Sequence, residues 1–125
     1  MIKVNALSGS TLAYLGDAMW SLLVREYLVN LGYQKPKDLQ ELSVKFVSAK
    51  AQAKLYFMLK EKDFFTDEEN DIFKRGRNFK GDSTPKNTDV TTYRVSTGFE
   101  AIIGYLYLNG NKKRIDTIFS LGLEE

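Results

Sequence analysis

The chain has 125 residues, 43% of them hydrophobic and 27% charged, a balance that supports a folded core and not disorder. It contains no cysteine and no histidine, which excludes disulfides, zinc–thiolate sites, cysteine nucleophiles and imidazole as base or metal ligand. The net charge is only +2, so a nucleic-acid surface has to show in the distribution of charge, not in its total.

The opening MIKVNALSGS lacks the apolar run of a secretory leader. The least charged stretch, 12–24, is too short to span a bilayer and carries Gly16, Asp17 and Ser21. A cytoplasmic protein without a membrane segment is expected. Ser10 is placed to cap a helix over about 11–29. In it Leu12, Leu15, Met19, Leu22 and Leu23 recur at helical spacing, while Tyr14, Trp20, Val24 and Leu28 take the other faces. Apolar residues nearly all round predict a central, buried helix. Asn30, Gly32 and Pro36 mark a turn. A second helical region covers 36–62, with Pro36 suited to its first turn and a break at 47–49. There Ser48 caps a helix carrying Ala49, Ala51, Ala53, Leu55 and Leu59. Thr66 and Glu69 form a capping box ahead of Ile72 and Phe73. That short helix sets Asp67, Glu68 and Glu69 at its positive end and Lys74, Arg75 and Arg77 at its negative end. Turn formers dominate 79–89, which reads as a loop. Helices over about 90–108 and 112–121 complete the chain. No alternating run asks for a strand and no linker divides the sequence, so one all-α domain over 1–125 is expected.

Two carboxylates stand alone. Asp17 is the only charge between Val4 and Val24, and Glu100 the only one between Val95 and Asn111. An ionised carboxylate on an apolar helix is costly to bury, so such groups pair with a base, cap a helix, reach water or bind a metal. If the two helices meet, both acids can share one cation. Gly16 and Gly104 lie beside them and would let the helices approach closely. With only oxygen ligands to offer, such a site points to magnesium or manganese. Phosphodiester hydrolysis needs an activated water and neutralised phosphate charge, and a divalent cation supplies both.

Charge is segregated nearby. Lys74, Arg75, Arg77, Lys80, Lys86 and Arg94 face only Asp82 and Asp89 within 72–94, whereas 61–71 holds six acids and one lysine. A basic loop with hydroxyl and amide donors, among them Thr84 and Asn87, suits phosphate contacts and entry into a groove. Lys45, Lys50 and Lys54 offer a further stripe. The same features also describe a solvated helix end and an ordinary surface loop.

The segment LAYLGDAMW at 12–20 resembles the ribonuclease III signature, and FEAIIGYLYL at 99–108 resembles that family's second acidic motif. KRGRN at 74–78, TPKNTD at 84–89 and SAKAQA at 48–53 narrow the resemblance to the Mini-ribonuclease III group, which consists of the catalytic domain alone. It implies a ribonuclease III-type helical bundle and a homodimer that cuts both strands of double-stranded RNA across a shared valley. It also implies maturation of the large-subunit (23S) ribosomal RNA precursor. No separate double-stranded-RNA-binding domain is expected, so Lys50, Lys74, Arg75, Arg77, Lys80, Thr84, Lys86, Asn87 and Arg94 are the candidates for holding RNA.

Only two of the family's acids carry over. The position four before Asp17, a glutamate in full ribonuclease III, is Ala13, and the position three before Glu100, an aspartate there, is Thr97. Asp17 and Glu100 remain as catalytic metal ligands, with Asp38 and Glu41 as candidates for a further carboxylate. Two rivals stand beside this reading: a non-catalytic relative that binds RNA as a ribosome or processing factor, and a helical protein-interaction domain.

Overall fold

The computed structural model describes residues 2–79 and 89–124. Lys80, Thr84, Lys86 and Asn87 fall outside them. Among the described residues a 3-10 turn, Val4–Ala6, is followed by six helices: α1 (Gly9–Asn30), α2 (Pro36–Val47), α3 (Ala49–Glu61), α4 (Asp67–Arg77), α5 (Val90–Leu108) and α6 (Lys112–Leu123). No strand occurs among the described residues, and no described helix is long and apolar enough to cross a membrane.

Local chemistry sets most boundaries. Pro36 opens α2. Ser48 ends that helix and caps the next, its side chain accepting from the Ala51 N–H at 3.1 Å. The capping box at the start of α4 is complete: the Thr66 hydroxyl accepts from the Glu69 N–H at 3.1 Å, and Glu69 Oε1 accepts from the Thr66 N–H at 2.9 Å. α1 differs from expectation. Its cap is Ser8, not Ser10, and accepts from the Thr11 N–H at 3.1 Å. Gly9 begins the helix flat against α4, where an added Cβ would lie 2.4 Å from the Arg75 carbonyl. α6 also runs on to Leu123, past the expected end at Leu121.

α5 is the central element. Phe99, Ala101, Ile102 and Ile103 are wholly buried, and α1, α3 and α4 pack around it. Its contact with α1 is backbone on backbone. A Cβ on Gly16 would stand 1.7 Å from the Glu100 carbonyl oxygen, and one on Gly104 would stand 2.0 Å from that of Leu12. Trp20 ties the layers together: its ring meets Phe99 and Phe119 edge-on at 5.0 and 5.4 Å, and its Nε1 donates to the Phe46 carbonyl at 3.2 Å. At the other end Arg114 of α6 grips the buried Glu69 through two hydrogen bonds and donates to the Phe64 carbonyl at 3.0 Å.

The expectation that α1 is buried all round is corrected. Leu12, Trp20, Val24 and Leu28 are buried, but Tyr14, Leu22 and Val29 are exposed. One chain has helices enough to cover only part of this one, and its outer face is left to solvent.

Candidate active site

The glycine crossing of α1 and α5 decides what sits beside what. Because Gly16 lies against the backbone of Glu100, the next residue, Asp17, is carried to the Glu100 side chain. Glu100 is partly buried and Asp17 exposed at the rim. They line a cleft of about 190 Å³ with Ser10, Ala13, Tyr14, Phe79, Tyr93 and Thr97. Behind Glu100, Gln52 of α3 donates from Nε2 to Oε2 at 3.3 Å.

Burial and then the neighbouring Asp17, through a shared hydrogen bond and like charge, push the Glu100 carboxyl up to about 9, against the lowering effect of Gln52. Two acids therefore face each other across adjacent helices, and among the described residues neither is ion-paired with a base. A divalent cation relieves this clash, and carboxylate oxygens are its preferred donors, so the residues fit the metal that the sequence calls for. Among the described residues no third acid joins the pair. Asp38 and Glu41, on α2, are not part of it. Ala13 and Thr97, where full ribonuclease III has acids, both line this cleft, so the two lost carboxylates would have pointed at the same place. The Thr97 hydroxyl is committed to the Tyr93 carbonyl at 3.0 Å.

A sequence model of the ribonuclease III domain matches residues 10–111, which include the whole carboxylate site. The chain is 45% identical over 120 residues to a Mini-ribonuclease 3 of Streptococcus pneumoniae, covering 96% of this chain and 94% of that one. It is 46% identical to that of Enterococcus faecalis (96% and 91% covered) and 47% identical to that of Staphylococcus aureus (94% and 87% covered). The chain belongs to the Mini-ribonuclease III family. It is thereby a ribonuclease III-family endoribonuclease by descent. The fold agrees: a crystal structure of a Fusobacterium nucleatum protein, 33% identical, superposes with a TM-score of 0.85 over 97% of this chain and 95% of that one.

The candidate RNA-binding residues have diverse surroundings. Lys74 and Arg77 line a concavity of about 330 Å³, together with Lys60, Asn70, Asp63 and the buried Tyr56–Phe73 ring stack. Among the described residues it shares none with the carboxylate cleft. Arg77 also borders a smaller hollow with Asn78, Thr91 and Arg94, so the two bases stand close on α4 and α5. Lys50 is exposed in the first turn of α3, two residues before Gln52. Arg75 donates from Nη1 to the carbonyls of Asn5 and Leu7 at 2.9 and 3.2 Å, holding the N-terminal segment. Of the lysine stripe, Lys45 and Lys54 line a separate hollow beside Trp20 and Phe119. Sequence reasoning missed Gln52. Its signal was there, as the one amide on an alanine- and leucine-rich helix inside SAKAQA.

Proposed function

We propose that the chain hydrolyses phosphodiester bonds within double-stranded RNA in a magnesium-dependent reaction, with manganese able to substitute. The observation that carries the reading is the Asp17–Glu100 pair: two acids from different helices, facing each other in an open cleft with no base paired to either among the described residues. Asp17 and Glu100 would hold the cation, which when bound supplies an acidified water and draws charge from the phosphate. Asp17, at the rim, reaches the substrate side. Glu100, recessed, must lose the proton it retains while facing Asp17 alone. Lys50, Lys74, Arg77 and Arg94, with Lys80, Thr84, Lys86 and Asn87, hold phosphates and set the register of the duplex, while Arg75 serves the N-terminal segment it is bonded to. Shape and phosphate recognition suffice for an RNA duplex, so no base-reading helix is needed.

The working form is a homodimer with one such site per subunit. The support is the exposed face of α1, where Tyr14, Ala18 and Leu22 follow at four-residue spacing beside Asp17, and Val29 is exposed beyond Arg25 and Glu26. Contiguous exposed apolar faces mark interaction surfaces, and most soluble oligomers are symmetric assemblies of identical chains. Family membership supports a single catalytic domain over 1–125 that binds RNA by itself, acting in the cytoplasm on the large-subunit ribosomal RNA precursor.

Purified chain is incubated with duplex RNA, with and without magnesium, alongside Asp17→Asn and Glu100→Gln. The expected result is metal-dependent cleavage by wild type, and loss of cleavage with retained fold and RNA binding in both variants. Near-normal turnover in either variant refutes the site. A clean monomer in sedimentation that still makes paired cuts refutes the dimer.

A further inference from the structure

We infer that Gln52 is a positioning residue of the metal site: its amide fixes the Glu100 carboxylate in the orientation that receives the cation. This rests on the reading of Asp17 and Glu100 as the metal-holding pair. Gln52 is 2% exposed, one of the most buried side chains in the molecule, on a helix whose other buried residues are Ala53, Leu55, Tyr56 and Leu59. An amide on such a face is unfavourable unless its hydrogen bonds are made, and an apolar residue of the same size would pack there at no such cost. Its Nε2 instead spans from α3 to α5 and meets Glu100 Oε2 at 3.3 Å.

The choice of an amide has a physical reason. Glu100 ends a flexible side chain on a central helix, with Asp17 opposite it. A lysine or arginine at position 52 would neutralise Glu100 and compete with the cation for it. An apolar residue would take this donor from Oε2 and leave the carboxylate freer to turn. A neutral donor does neither: it holds one oxygen and leaves the negative charge available. Hydrogen bonds of this kind to ligating carboxylates fix their orientation, and losing one costs about 10–100-fold in metal affinity or activity.

The test uses the full chain and manganese alone as probe, its binding followed by electron paramagnetic resonance without RNA. Wild type, Asp17→Asn, Gln52→Met and Gln52→Asn are compared. Methionine keeps the volume without the donor; asparagine keeps the amide but falls a methylene short. In both Gln52 variants manganese affinity is expected to fall about 10–100-fold. The magnesium midpoint for cleavage should rise by the same factor, with excess magnesium restoring part of the turnover. RNA affinity in chelator should stay at the wild-type value. Should Gln52→Met not fold, Gln52→Asn carries the same comparison. Wild-type manganese affinity and an unmoved magnesium midpoint, whether or not thermal stability falls, overturn the inference and leave Gln52 as core packing. If Asp17→Asn loses manganese while the Gln52 variants keep it, this inference alone falls. If Asp17→Asn also binds manganese normally, the metal reading beneath it falls.

Discussion

Replacing Glu100 with glutamine should inactivate the enzyme and yet stabilise its metal-free form, increasingly so as pH rises. In the folded, metal-free chain burial and Asp17 raise the Glu100 carboxyl from its ordinary 4.5 to about 9. Between those values the folded chain keeps a proton that the unfolded chain has lost. Stability therefore falls with rising pH: the contribution is complete below about 4.5 and gone above about 9. Each pH unit in that window costs about 1.4 kcal/mol, so from pH 5 to pH 8 the ceiling is about 4 kcal/mol. Glu100 is partly exposed and Asp17 lies at the rim, so solvent takes up part of this, and about 2 kcal/mol is expected. The amide that replaces the carboxyl cannot titrate, so the variant lacks this slope. For a domain of this size each kcal/mol moves the melting midpoint by about 3–5 °C, so the variant should gain about 6–10 °C on wild type between pH 5 and pH 8. Thermal unfolding in chelator, at one protein concentration and several pH values, measures it. Added manganese should flatten the wild-type slope, because a bound cation keeps Glu100 ionised across the window. Parallel melting curves for the two proteins across the pH range would refute the reasoning.

Gly16→Ala places a Cβ where the Glu100 carbonyl oxygen now stands 1.7 Å away, so the central helices must part. A loss of roughly 3 kcal/mol in denaturant titration is expected, with cleavage lost as Asp17 moves off Glu100; wild-type stability would mean that the helices do not touch there. Arg114→Ala strands the buried Glu69 and should cost about 3–5 kcal/mol by the same titration, and a variant within 1 kcal/mol of wild type would show the pair to be solvated. Lys74→Ala and Arg77→Ala should each reduce the slope of log RNA affinity against log salt by roughly 0.7–0.9, with single-turnover cleavage at saturating RNA falling much less. Unchanged slopes in both would show that the duplex docks elsewhere.

Signals confined to one helical turn were readable directly. Pro36, Ser48 and the Thr66–Glu69 box act on backbone groups within three or four residues, so spacing alone locates them. The solitude of Asp17 and Glu100 was equally plain, because an unshielded charge in an apolar run has few uses. Their proximity depended on a crossing point, and Gly16 and Gly104 hinted at that, since two helices meet most closely where neither has a Cβ. Other facts live only in the packing. Ser8 displaces Ser10 as cap because Gly9 alone fits against α4. Glu69 reads as a surface acid of an acidic run, but Arg114, 45 residues on, turns it inward. Arg75 reads as one of several phosphate-binding bases, yet its guanidinium reaches back 70 residues to the Asn5 carbonyl. The exposure of Tyr14, Leu22 and Val29 was invisible to periodicity, which measures how apolar a face is and not what stands opposite. Gln52 was the hardest to read: a polar residue on a buried face has meaning only once the helix across from it is known, and that helix presents Glu100.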